Sequence, residues 1–115
     1  MNTFEHLFGA IHVSDRDAAM VWYERLFGRP PDLIPNTDEA AWRLTETAWV
    51  YVIAGAGDSG TSLHTVLVAD LDSFLRRTRD AGIKPGPIET KGSGVRSVHI
   101  EDPDGNRLQV GQPPS

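Results

Sequence analysis

Four histidines, at positions 6, 12, 64 and 99, are the groups in this chain best suited to moving a proton. Imidazole changes charge near neutrality, so one held beside a substrate can give or take a proton without a metal. His99 sits in the strand-like run "VRSVHI". Tyr51, His12 and Arg107 lie in other strand-like runs, which could bring a phenol, a second imidazole and a guanidinium to its aid. The aromatic residues Trp42, Trp49 and Tyr51 offer a different chemistry. Three large rings on one presumed hairpin suit a flat, apolar or cationic molecule, held by stacking or cation–π attraction. Aromatic residues on strands also fill cores, so both roles stay open for them.

Several other chemistries are absent from the sequence. With no cysteine there is neither a disulfide framework nor a thiolate metal site, and a metal would need His, carboxylate or amide oxygen. The glycines of "GAGDSG" come without a lysine or a helix start, so this stretch reads as a linker rather than a phosphate cradle. Glu101, Asp102 and Asp104 resemble a carboxylate cluster, but they belong to "EDPDGN", where Pro and Gly set a turn, and a structural role is expected of them.

The elements that would position these residues come in two copies. At an offset of 55, Val13, Asp15, Asp17 and Pro30 fall on Val68, Asp70, Asp72 and Pro85. Each copy begins with a strand, "LFGAIHV" or "LHTVLVA", followed by a helix capped by Ser14 or Asp70. In the first helix Ala18, Val21, Trp22 and Leu26 form an apolar stripe, Ser14 and Asp17 have capping-box spacing, and Gly28 is the stop. Of Trp22 and Tyr23, one packs inward and the other marks the margin. In the second helix Leu71, Phe74, Leu75 and Thr78 oppose a solvated face of Arg76, Arg77, Arg79 and Asp80, and Gly82 ends it. The period then returns to two. The first copy continues through "PPDLIP", an edge strand or loop, into the hairpin "AAWRLTET" and "AWVYVIAG". The second continues through "GPIET", "VRSVHI" and "RLQVGQ".

A chain of 115 residues, 39% hydrophobic and 23% charged, is read as one domain over residues 1–115, with modules of about 1–55 and 61–115. The charge of −5, with Lys and Arg scattered, gives no footprint for nucleic acid. The start "MNTFEHLFG" does not read as a secretion signal, and no apolar run is long enough to span a membrane. A cytoplasmic protein with a small-molecule partner is expected.

The segment "HVSDRDAAMVWYERLFG" resembles the opening of vicinal oxygen chelate proteins, and "IEDPDGNRLQV" is similar to their closing hairpin. That superfamily includes glyoxalase I, extradiol dioxygenases, fosfomycin-resistance transferases and bleomycin-binding proteins. The resemblance covers nearly the whole chain. It implies an α+β fold of two βαβββ modules in a cupped eight-stranded mixed sheet, usually in a homodimer. It also implies four metal positions, from the first and last strand of each module, which fall on Phe8, Tyr51, Leu63 and Gln109. Only Gln109 offers an oxygen of even weak affinity, so no metal and no cofactor are expected. His64 neighbours the ligand position and points to the other sheet face unless a β-bulge turns it inward.

His12 follows Phe8 by four residues, where glyoxalase I holds a substrate carboxylate, so the resemblance suggests an anion contact; a partly exposed surface histidine is the alternative. His99 precedes Gln109 by ten residues, where extradiol dioxygenases carry an acid–base residue that touches the substrate ring; a hydrogen-bonded sheet-edge histidine is the alternative. Strand alternation groups Leu63 with Thr65 and Leu67, Trp49 with Tyr51, Arg107 with Gln109, and Ser97 with His99. Two functions follow. The first is metal-independent capture of an aromatic or hydrophobic compound through Phe8, His12, Trp49, Tyr51, Leu63, Arg107 and Gln109, in the manner of bleomycin resistance. The second is a lyase, isomerase or dioxygenase-like enzyme with His99 as its catalytic residue. Capture is preferred, because without a metal the superfamily loses its means of stabilising an enediolate or activating oxygen.

Overall fold

The computed structural model describes residues 3–114. Its elements are β1 (Leu7–Val13), α1 (Arg16–Phe27), β2 (Glu39–Arg43), β3 (Ala48–Ala54), β4 (Leu63–Leu67), α2 (Leu71–Asp80), β5 (Glu89–Thr90), β6 (Arg96–Glu101) and β7 (Arg107–Gln112). They form two sheets, ordered β1-β3-β2 and β4-β7-β6-β5. In each, the first and last strands of a copy pair in parallel and the hairpin strands pair antiparallel. In "PPDLIP", read as an edge strand or loop, a single bridge joins Leu33 to Ala41. Pro30, Pro31 and Pro35 crowd this stretch, and without N–H donors a longer ladder cannot form. Among the described residues seven regular strands form the two sheets, and the Leu33–Ala41 bridge stands in the place of an eighth.

Both helices start on an aspartate. The Asp15 carboxylate accepts from the Ala18 N–H at 3.1 Å, and that of Asp70 accepts from the Ser73 N–H at 3.0 Å. The expected cap at Ser14 is thus one residue early. The Ser14 hydroxyl instead donates to Asp104, 2.7 Å away. The buried stripe of α1 shifts likewise, to Ala19, Tyr23 and Leu26, and Val21 is left half-exposed. Tyr23 takes the interior because its hydroxyl has a buried partner, Asp102. Gly28 ends the helix in the left-handed conformation, φ 78°, and its N–H donates to the Glu24 carbonyl. In α2, Leu71, Leu75 and Thr78 are buried as the pattern requires.

Alternation along the strands decides what lies under the helices. Ile11, Val13, Trp42, Val50 and Val52 join Tyr23 and Leu26 in the core, and Val98, Ile100, Leu108 and Val110 join Leu71 and Leu75. Trp42 is fully buried, and its indole N–H donates to the Arg29 carbonyl at 3.0 Å. It is a core residue and leaves the trio of ligand-facing aromatics. The intervening residues face the other side of each sheet, where Phe8, Leu63 and Leu67 are exposed while Ala41 and Ser97 are buried.

The two sheets meet along β1 and β4. The His12 carbonyl accepts from the Gly60 N–H at 3.4 Å, and further along the strand Gly9 lies against His64, so the two strands pass in opposite directions. A Cβ on Gly9 would stand 2.8 Å from His64 Nε2. Gly9 and His64 are the same position in the two copies, and only a residue without a side chain leaves room there for its counterpart.

The turn after β6 completes the seam. The Asp102 carboxylate accepts from the Tyr23 hydroxyl at 2.7 Å, the Asp104 and Asn106 N–H groups at 2.9 and 2.8 Å, and the Asn106 side chain at 2.9 Å. Asn106 also donates to the His12 carbonyl at 2.8 Å. Burial, then the bond to Asp102 and the charges of Asp102 and Asp104, push the Tyr23 pKa up, which keeps the phenol protonated as a donor. The carboxylates of "EDPDGN" have the structural role their turn implied.

Candidate functional site

The face opposite the helices carries most of the residues singled out for chemistry. On the first sheet Phe8 lies beside Trp49, and Ala10 and Ala41 flank Tyr51. The Phe8 and Trp49 rings stack with centroids 5.2 Å apart and planes 17° from parallel. The Arg43 guanidinium lies 5.9 Å from the Trp49 ring centroid on the neighbouring strand, within cation–π range. Between these small neighbours the Tyr51 ring is partly exposed. Phe8 is 50% exposed, unusual for a large aromatic ring on a sheet with a core on its other face.

The second sheet presents a different wall. Leu63 pairs with Arg107, and Thr65, Gln109 and His99 form one row across β4, β7 and β6. The Gln109 amide donates to the Ser97 hydroxyl at 3.4 Å, and the Thr65 hydroxyl lies 3.5 Å from the Gln109 carbonyl oxygen. Leu63 and Leu67 are 52% and 64% exposed beside them. At one end His99 lies beside Glu101, Arg107 and Lys84 around a hollow of about 340 Å³. The His99 Nδ1 is buried with no hydrogen-bond partner.

Phe8, Trp49, Tyr51, Leu63, Arg107, Gln109 and His99 thus share the open face. His12 sits apart, at the far end of β1, with its ring beneath Gly57 and its Nδ1 buried and unpaired. His64 turns the other way. Its strand partner is the buried Leu108, it packs against Gly9, and burial pushes its pKa down.

The donor chemistry of the four metal positions does not suit a metal. Phe8 and Leu63 have no lone pair to give, which leaves a phenol and an amide. Among the described residues no group of three or more His, Asp or Glu side chains could hold an ion. Three contributors were missed by sequence reasoning, Lys84 at the hollow being one. Leu33 extends the row of Ala10, Tyr51 and Ala41 through its bridge, and Arg43 faces Trp49. Arg43 was within reach, since alternation with the core residue Trp42 sends it to the open side. Leu33 was hidden by its prolines.

Paired strand–helix–strand units with helices on one side and an open ligand-sized face on the other define a class of small binding proteins and enzymes. The chain belongs to the Glyoxalase/Bleomycin resistance protein/Dioxygenase superfamily, whose model matches residues 3–110. It is similar to a glyoxalase/bleomycin resistance protein from Catenulispora acidiphila, at 35% identity over 95% of this chain and 98% of that one, with a TM-score of 0.88. It shares its fold with a bleomycin-binding protein solved with bleomycin (19% identity, TM-score 0.78, 95% and 98% covered). It also shares it with a lactoylglutathione lyase from Agrobacterium tumefaciens (20% identity, TM-score 0.75, 92% and 91% covered). No curated protein matches the sequence. Among the described residues no helix is long and apolar enough to cross a membrane.

Proposed function

We propose that the open face captures a flat aromatic or hydrophobic small molecule without a metal, and that capture is itself the activity. The observation that carries this reading is the stacked Phe8–Trp49 pair, with Phe8 half-exposed and Tyr51 beside it on the face opposite the core. Ring-on-ring contact contributes about 0.5–1.5 kcal/mol beyond area burial, so one intercalated or capping ring gains measurably from this wall. The bleomycin-binding neighbour supports ligand capture as a use of this fold. In this reading the protein is a cytoplasmic homodimer, in which a second copy covers the exposed Leu67 and leaves the Phe8–Trp49 wall to the ligand. Titration with planar aromatic compounds should quench tryptophan emission, and the quenching should disappear in Trp49→Ala. Unchanged quenching in that variant would place the ligand elsewhere. One stoichiometric divalent ion per chain, in protein purified without chelator, would overturn the metal-free reading.

A second reading has one specific observation in its favour. His99 stands beside Arg107, its Nδ1 unpaired, where an imidazole and a guanidinium can act on one substrate. An enzyme of this kind loses turnover in His99→Ala and keeps its ligand affinity; a capture protein shows no turnover to lose.

A further inference from the structure

We propose that the hollow around His99 is a subsite for a carboxylate, so that the captured molecule is an elongated organic acid rather than a neutral hydrophobe. The proposal rests on the open face being a ligand site and names the class of ligand.

Three groups converge there. Arg107 extends from the start of β7, and neither its guanidinium nor the Lys84 ammonium enters any of the side-chain hydrogen bonds or ion pairs found among the described residues. Arg77, Arg96 and Arg43 are engaged, with the Leu26 and Arg25 carbonyls, Asp72 and the Glu46 carbonyl; what sets Arg107 and Lys84 apart is that they line one hollow together. Two unspent cations on one hollow are a charge pattern awaiting an anion. His99 lines the same hollow, and its buried Nδ1 has no hydrogen-bond partner.

The one carboxylate lining the hollow, Glu101, stands across the strand pair from Arg107 without forming an ion pair to it or to Lys84, and its Oε1 lies 3.6 Å from where a Cβ on Gly105 would stand. Two cations against one carboxylate leave a single excess positive charge, which suits a monoanion. The wall is rigid where the backbone closes it, since the Gly86 N–H donates to the His99 carbonyl at 2.9 Å. Lys84 itself gave no signal in the sequence, because it reaches the site only through this loop contact.

The position of the hollow sets the ligand's length. His99 on β6 and Trp49 on β3 are separated by two strand spacings in one sheet, one in the other and the seam between them, about 15 Å or more at 4.8 Å per spacing. A molecule that meets both walls carries its ring and its acid at opposite ends.

The test uses the full chain with isotopically labelled histidine, at fixed pH and ionic strength. Benzoate should shift the His99 ring resonances saturably and leave those of His12 and His64 unmoved. It should bind about 10-fold tighter than benzamide, and Arg107→Gln and Lys84→Gln should each weaken it about 5-fold, as expected for a charge-assisted contact. Equal binding of benzoate and benzamide, a shift that never saturates, or undiminished binding in the double variant would overturn the subsite. Quenching by 2-methylnaphthalene, compared between wild type and Trp49→Ala, reports the aromatic wall separately. Trp49-dependent quenching without a benzoate response sinks the subsite alone, whereas a benzoate response without that quenching supports the subsite and sinks the aromatic reading.

Discussion

The two copies of the strand–helix–strand unit agree on the side that packs and disagree on the side that is open. Under the helices both present alternating aliphatic strands, and both helices start on an aspartate at the same point of the repeat. On the open side the first copy shows Phe8, Trp49 and Tyr51, and the second shows Thr65, Gln109, Ser97 and Arg107. Their hairpin turns differ too. The turn at Leu44–Thr47 is held within its own hairpin by Thr45, whereas Asp102–Asn106 reaches across to Ser14, Tyr23 and His12. Folding constrains a core face in the same way in each copy, while the open face and the turns are free to diverge toward separate tasks.

The largest effect that would sharpen this comparison lies in the turns. Asp102→Ala strips partners from a buried phenol and two backbone N–H groups and should cost about 3 kcal/mol in urea denaturation, against less than about 1 kcal/mol for Thr45→Ala in the other turn. Equal losses would mean the second turn is no special clasp. Next is the seam, where Gly9→Ala should destabilise by about 2 kcal/mol by crowding His64. Adding His64→Ala should return most of that loss, and a strictly additive double variant would show that the two residues do not press on each other.

The open walls should differ more modestly. Trp49→Ala should weaken a planar aromatic probe about 10-fold, near 1.4 kcal/mol, and Gln109→Ala only about 2- to 3-fold, as read by calorimetry. Similar losses at both positions would erase the distinction between the walls. The smallest effect concerns pH. Burial holds the His64 pKa below the ordinary imidazole value of 6.5, so the unfolded chain takes up more protons below that value. Its contribution is full above pH 6.5 and declines as the pH falls through the folded-state pKa. His64→Gln should flatten the stability profile slightly in that window, with the first copy's Gly9 contributing nothing comparable.

Much of this was legible in the residues. The offset of 55 set the order of elements, and alternation within each strand grouped Trp49 with Tyr51, Arg107 with Gln109, and Leu63 with Thr65, while the family resemblance implied that these rows share one cup. The phase of α1 was not legible. Ser14 and Asp15 are both good caps, and the choice between them fell to Asp104, ninety residues away in sequence, which takes the Ser14 hydroxyl. Trp42 likewise depended on a pocket formed by Tyr23 and Phe27, to which it packs at centroid distances of 6.2 and 5.4 Å.

The sequence by itself determined which residues share a face, since that follows from local backbone periodicity and needs no partner. It also determined the residue types, Phe8, Tyr51, Leu63 and Gln109, at the four positions that the family resemblance assigns to a metal. Only the tertiary structure decided which copy's turn would bridge the seam, that Gly9 is the space His64 needs, and that Lys84 joins Arg107 and His99. These are contacts between segments far apart in the chain, and their existence depends on how two sheets dock, which no pattern within one segment specifies.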